Sequence, residues 1–278
     1  MLVSLNEVLT YAQKHQCAIG SFNTPNLECV NAVLGAAEEI GTPVILLHAQ
    51  VHDPIAPLDA IGPVMVAAAK RARVPVCVHL DHCETLEYMK RALEIGFTGI
   101  MYDGSALPYD ENEANTRLAV GLSHDRGAGV EAELGQLASH ESGGGSGGPV
   151  YTDPALALRF AQATGIDCLA PSFGTAHGIY KSAPALDLGL VKRIKELTGL
   201  PLVMHGGSGV SREDYKTAIR NGIRKINYYT YMAREGVRAA KRLLDSEDVT
   251  FYHDVAMAAQ TAMQADALQA LKLFNGME

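Results

Sequence analysis

Short runs of apolar, often β-branched residues recur along this chain, each followed by a longer stretch with helical spacing. The runs near Ala18–Phe22, Val44–His48, Val76–Leu80, Gly99–Tyr102, Gly129–Leu134, Cys168–Pro171, Leu202–His205 and Lys225–Tyr228 read as strands. Several are apolar on both faces, as strands covered on both sides should be. The stretches Asn26–Ile40, Leu58–Arg73, Leu86–Ile95, Glu111–His124, Pro154–Thr164, Asp187–Leu197, Ser211–Asn221 and Tyr231–Leu244 read as helices. Gly41, Gly96, Gly165 and Gly222 fall just past four of them, where a left-handed cap favours glycine. Ser4-Leu5-Asn6-Glu7 has capping-box spacing and predicts a leading helix, and a final helix is predicted from about Val255 to Phe274.

Strand and helix alternating through eight units predict an α/β protein of the (β/α)8 TIM-barrel class, with an extra N-terminal helix and a C-terminal helical extension. An open doubly wound sheet would usually carry a glycine-rich phosphate fingerprint after its first strand. The stretch Ser21-Phe22-Asn23-Thr24-Pro25-Asn26 is not one. The expectation is a single domain over residues 1–278, with a helical tail from about 245. Within it lies ASHESGGGSGGPVYTDP, residues 138 to 154, which is rich in glycine and follows the fifth strand. A mobile lid over about 138–152 is expected there.

The formal charge of −8 and the lack of a basic run argue against a nucleic-acid or anionic-membrane partner. The five cysteines are odd in number and form no C-x-x-C pair, which fits small buried residues in a reducing cytoplasm. The stretch MLVSLNEVLTYAQKH lacks the apolar core of a signal peptide, and no apolar run is long enough to span a bilayer. A cytoplasmic location is therefore expected.

In a barrel, chemistry collects at the C-terminal ends of the strands. Those ends carry Asn23, then His79-Leu80-Asp81-His82, then Asp103, and Glu131 and Glu133 on strand five. Further on come Gly174-Thr175-Ala176-His177-Gly178, His205-Gly206-Gly207-Ser208-Gly209 and Asn227. Three neutral imidazoles from different strands can form a catalytic zinc site with an open position, and His82, His177 and His205 are the candidates. His79 reads as a supporting or structural residue, His15, His124 and His253 as surface or packing residues, and His48 and His52 as ambiguous. Gly178 and the Gly206-Gly207-Ser208-Gly209 turn can present backbone N–H groups to a phosphate, helped by the helix starting near Ser211.

The segments VPVCVHLDHC, VEAELGQLASHE, GTAHGIYKSAPALD and PLVMHGGSG resemble the signature segments of the class II, zinc-dependent ketose-bisphosphate aldolases, nearest to the tagatose- and fructose-bisphosphate branch. The likeness runs over roughly residues 1 to 245. It implies a lyase that forms dihydroxyacetone phosphate and an aldehyde. It implies one Zn2+ per chain on His82, His177 and His205, with Glu133 near the metal. It makes Asp81 the acid/base at the C4 hydroxyl and Glu141 a lid residue moving the proton of the triose-phosphate carbon. Asn23, at the end of the first strand, is a candidate substrate contact. Gly178, Lys181, Gly206, Gly207, Ser208, Asn227 and Thr230 would hold the triose phosphate, with Na+ or K+ as a helper. The partner is a small-molecule sugar phosphate, and a homodimer or homotetramer is implied.

Departures cluster on the aldehyde half. Ala138 stands where the family motif usually has glycine, and Ala49 where relatives usually have serine or threonine. Asn227-Tyr228-Tyr229-Thr230-Tyr231 departs from the usual pattern, with the tyrosines reading as rim packing or sugar stacking. The tail lacks the arginine segment for a distal phosphate, and Gln260 aligns near that position. The expectation is a ketose with phosphate at C1, and the distal phosphate is open. Three other readings are an aldolase of the same family for a non-bisphosphate or modified sugar phosphate, a barrel metallohydrolase, and a non-catalytic aldolase-complex subunit. The second usually opens with His-x-His on strand one, and the third sits poorly with intact Asp81, Glu141 and three histidines.

Overall fold

A computed structural model describes residues 1–135, 150–180, 182–246 and 248–277, and the backbone of 138–139. Its strands are β1 (Ile19–Asn23), β2 (Val44–Ala49), β3 (Val76–Cys83), β4 (Gly99–Tyr102), β5 (Gly129–Leu134), β6 (Ala138–Ser139), β7 (Cys168–Pro171), β8 (Ala176–His177), β9 (Leu202–Met204) and β10 (Ile223–Tyr228). Eight of them close a parallel barrel in the order β1-β10-β9-β7-β5-β4-β3-β2, while β6 pairs with β8 at the mouth. The helices are α1 (Leu5–His15), α2 (Leu27–Ile40), α3 (Leu58–Arg71), α4 (Leu86–Ile95), α5 (Tyr109–His124), α6 (Pro154–Thr164), α7 (Leu188–Thr198), α8 (Arg212–Arg220), α9 (Thr230–Ser246) and α10 (Tyr252–Phe274). Sequence periodicity located every barrel strand within about three residues. It missed β6 and β8, because two-residue strands carry no pattern.

Local chemistry explains the element ends. Ser4 and Glu7 form the predicted reciprocal capping box at the start of α1. Asn26, Thr85, Asp153, Asp187 and Ser211 each accept a backbone N–H at the start of their helix. Gly41, Gly96 and Gly165 take the left-handed cap position.

The core has two parts. One fills the ring between barrel and helices. The other lies inside the barrel, where Ile19, Ile45, Leu47, Cys77, Cys168 and Val203 meet Leu5, Val8, Leu9 and Ala12 of α1. Helix α1 therefore closes the N-terminal end with apolar side chains. Above this layer the interior becomes polar, and His79, Glu131, Lys225, Asp81, Glu133 and Asn227 are all buried. All five cysteines are buried and free. At the far edge, α10 packs on α2 and α9, and the Ala18 N–H donates to the Phe274 carbonyl at 3.0 Å.

The polar layer is tightly fitted. A Cβ on Gly99 would sit 2.4 Å from His79 Nδ1 and 3.0 Å from Cys77 Sγ, and both of those side chains are fully buried. Gly99→Ala should therefore destabilise the fold by about 1–3 kcal/mol through overpacking. Chemical denaturation measures it. A change below about 0.5 kcal/mol, typical of an open surface position, would show that the layer is loosely packed.

Candidate active site

Many of the residues named from the strand ends share one cleft at the C-terminal mouth, with His205 buried beside it. Asn23, Asp81, His82, His177, Gly178, Gly206, Gly207, Ser208, Asn227 and Thr230 all line it. Glu141 and Lys181 lie outside the described residues.

Asp81 and His82 are consecutive on β3, so a regular strand would aim them at opposite faces. His82 instead adopts φ 46°, in the left-handed region, and the β3–β4 register shifts between Leu80 and Cys83. This local break lets both side chains enter the cleft. Such a conformation costs about 1–3 kcal/mol in a non-glycine residue, and it falls at the centre of the site.

Nitrogen atoms of His82, His177 and His205 lie within 4.8 Å of one another. Asp103 Oδ2 accepts from His82 Nδ1–H at 2.7 Å, and Glu131 Oε1 accepts from His205 Nε2–H at 2.7 Å. These carboxylates fix both tautomers, so His82 Nε2 and His205 Nδ1 face each other at 2.9 Å. Two lone pairs that close repel unless a cation is shared between them. Burial opposes charge on His82, but Asp81, Asp103 and Glu133 outweigh it and hold its pKa up at about 10. Burial lowers His177 to about 4 and pushes His205 down as well. Among these imidazoles, then, the site takes one positive charge, on His82. A three-imidazole donor set with carboxylates behind two members fits a divalent metal.

Glu133 is buried on β5, two residues from Glu131 and on the same face. It groups with His82 and Asp103 within 4.8 Å rather than with His177 and His205. Its place is therefore beside one histidine, on the Asp103 side. Burial raises the Asp81 carboxyl, but the positive charges on His82 and Lys225 outweigh that and hold it below the usual range. Asn227 Nδ2 donates to Asp81 Oδ1 at 3.1 Å.

The glycine turn is held from behind. The Tyr180 hydroxyl accepts from the Ala176 N–H and donates to the Gly206 carbonyl, both at 2.8 Å, and the Tyr215 hydroxyl donates to the Gly207 carbonyl. The Gly207 N–H donates to the Asn227 carbonyl at 3.2 Å, tying the turn to β10. Gly206 has φ 61°, and a Cβ there would meet the Ala176 carbonyl at 2.3 Å, so only glycine fits. The Tyr229 N–H donates to Ser208 Oγ at 3.0 Å.

Other residues separate cleanly. His48 bonds Tyr88 Oη at 3.0 Å and is not among the cleft-lining residues, and burial lowers it to about 4. His52 lines the cleft and packs on Tyr229, with ring centroids 5.5 Å apart. His79 lies in the polar layer 3.5 Å from Glu131 Oε2, one step beneath the site. His15 stacks on Tyr11, His124 bonds Asp167 at 2.8 Å, and His253 stacks on Phe251. Tyr228 packs edge-on against Phe22 and Phe274, and Tyr231 lies under the Arg234 guanidinium. Ala49 lines the cleft, but Gln260 does not. Gln260 instead accepts from Asn31 Nδ2 of α2 at 3.3 Å.

Two buried charged groups receive no role from the sequence. Glu131 is named there only among the strand-end carboxylates, and Lys225 only as the start of a strand. Both are fully buried and pair at 2.8 Å. Their signal was period two: Glu131 shares a face with Glu133, and Lys225 shares one with Asn227.

The chain is similar to known proteins over nearly its whole length. The family profile described as fructose-bisphosphate aldolase class-II matches residues 3–278. The fructose-bisphosphate aldolase of Geobacillus stearothermophilus is 40% identical over 249 residues, which cover 87% of this chain and 86% of that protein. The fructose-bisphosphate aldolase of Staphylococcus epidermidis is 37% identical over 252 residues, covering 88% and 87%. The crystal structure of the YdjI aldolase from Escherichia coli K12 superposes with a TM-score of 0.88 at 35% identity, over 99% of this chain and 97% of that one. With its barrel closed and its histidines and carboxylates gathered at the mouth, this chain belongs to the class-II fructose-bisphosphate aldolase family and is a class II aldolase, a carbon–carbon lyase of carbohydrate metabolism.

Proposed function

We propose that the chain is a zinc-dependent aldolase that reversibly cleaves a phosphorylated ketose of the tagatose or fructose type to dihydroxyacetone phosphate and an aldehyde. The observation that carries this reading is the meeting of three imidazoles, His82 and His177 lining the cleft and His205 buried beside them, with an ionised Asp81 and a glycine turn. His82, His177 and His205 would hold the metal, which supplies a Lewis acid for the enediolate charge. Asp81 takes the proton of the C4 hydroxyl, the oxygen that becomes the aldehyde. Its Oδ1 is oriented by Asn227, and its charge is favoured by the neighbouring cations. Glu141, read from sequence, exchanges the proton of the carbanion carbon. Gly178, Lys181, Gly206, Gly207, Ser208, Asn227 and Thr230 hold the triose phosphate, with Na+ or K+ beside them. Asn23 reaches the substrate from β1.

The same reading takes residues 1–278 as one domain, working as a homodimer or homotetramer in the cytoplasm. Family membership supports the first two points. Buried free cysteines support the third, and no helix among the described residues is long and apolar enough to cross a membrane. The aldehyde side of the cleft carries Ala49, Val51, His52 and Tyr229, and no lysine or arginine lines the cleft among the described residues. That favours a ketose whose far end needs no second phosphate.

Substitutions should separate metal from acid/base. His205→Ala loses bound zinc and activity together. Asp81→Ala keeps its zinc and loses about 10²–10⁴-fold in cleavage rate. Metal analysis beside a coupled assay for dihydroxyacetone phosphate reads both, and a loss below tenfold for Asp81→Ala would remove it from the chemistry.

Zinc uptake has a pH signature. The proton on His82, with its pKa near 10, must leave when the metal binds. Affinity therefore rises with pH through the neutral range, and binding at pH 7 releases about one proton per zinc. Calorimetry in buffers of different ionisation enthalpy counts that proton. Uptake without proton release would contradict the assignment.

A matched ketose 1-phosphate and 1,6-bisphosphate should differ in kcat/KM by less than the one to two powers of ten that a charge-assisted phosphate contact contributes, about 1.5–3 kcal/mol. Parallel steady-state assays decide it. A hundredfold preference for the bisphosphate would mean that a cation meets the distal phosphate after all.

A further inference from the structure

We propose that Lys225 is a positioning residue that aligns the metal-side His205 and the acid/base Asp81 together, from inside the barrel. The proposal rests on the roles given above to Asp81 and the three histidines.

Lys225 is fully buried on β10, one layer beneath Asn227. Its ammonium donates to Glu131 Oε2 at 2.8 Å and to Asn227 Oδ1 at 2.7 Å. Each contact leads upward to a different reacting group.

The first path runs through Glu131. One carboxylate oxygen faces Lys225, and the other accepts from His205 Nε2–H at 2.7 Å. That bond leaves His205 Nδ1 aimed at His82 Nε2. Partners of this kind set the orientation and basicity of a metal-binding imidazole.

The second path runs through Asn227. An ammonium can only donate, so it must meet the amide oxygen. The amide NH2 is then left to face Asp81 Oδ1 at 3.1 Å and His205 Nδ1 at 3.3 Å. Turning the amide over would set its NH2 against the ammonium and its oxygen against a carboxylate. Lys225 thereby fixes which way Asn227 points, and Asn227 fixes the Asp81 carboxylate. A neutral side chain at 225 would release both constraints.

The competing account is that Lys225 only neutralises Glu131 in a dry interior, which would make its effect one of stability alone. Lys225→Met leaves Glu131 buried without a counter-charge, which is strongly destabilising and mixes a folding effect into the test. The paired variant Glu131→Gln/Lys225→Met removes both charges and avoids that problem. The test compares wild type, the paired variant, Asn227→Ala and the triple variant. Zinc affinity is measured by competition with a chromophoric chelator, and cleavage at saturating zinc, well below each melting temperature.

The paired variant is expected to bind zinc about 10–100-fold more weakly. At saturating zinc its kcat should fall at least about tenfold, within the range of an acid/base contribution, with KM changed far less. Adding Asn227→Ala to the paired variant should lower kcat much less than it does in wild type, because the path is already broken. Wild-type zinc affinity with wild-type kcat in the paired variant would overturn the proposal, and so would fully additive losses. The controls keep the two ideas apart. If wild type cleaves no phosphorylated ketose, the functional reading fails, and the zinc affinities alone then decide for or against Lys225.

Discussion

A regular β-strand cannot aim two consecutive side chains at one point, and this site needs it to. Asp81 and His82 are neighbours on β3, one read as the acid/base and the other as a metal ligand. The left-handed backbone at His82 and the slipped register beside β4 remove the alternation at that step. Everything else at the mouth is arranged around the result. Asp103 orients His82 from just past β4, Asn227 orients Asp81 from β10, and His205, just past β9, meets His82. Barrel closure makes this possible, since residues far apart in sequence share one interior and one rim.

Burial raises the stakes of each polar contact. Glu131, Lys225 and His79 are fully enclosed, and Asp81 and His205 nearly so. An unpartnered charge there would be strongly destabilising, whereas paired charges are tolerated and can fix geometry. The barrel thus divides its interior by height. Apolar side chains and α1 close the bottom, a buried ion pair occupies the middle, and the reacting groups stand at the top. Stability and chemistry draw on adjoining layers, so the tight fit of Gly99 against His79 is also a constraint on the site above it.

Much of this was legible in the sequence because it is periodic. Apolar strands alternating with amphipathic helices gave the barrel, and strand ends gave the histidines, Asp81, Asn227 and the glycine turn. What escaped was geometry that breaks a period or hides within one. Alternation predicts that His82 turns away from Asp81, and only the backbone conformation reverses that. Lys225 at a strand start resembles a solvated charge until β10 is placed with its face inside the barrel. The family resemblance anticipated the ligand set, while the network of Glu131 and Lys225 behind it had no motif to announce it. Glu141 and Lys181 stand on sequence alone.

The central claim is that three imidazoles and one carboxylate form a metal-dependent aldol site. Stepwise return of zinc to the metal-free chain tests it most directly, with bound metal and dihydroxyacetone phosphate release followed in the same samples. The account predicts that cleavage of a ketose 1-phosphate is absent without metal and rises in proportion to zinc, up to one ion per chain. Full cleavage by the metal-free chain, or zinc filling the site without any gain in cleavage, would contradict it.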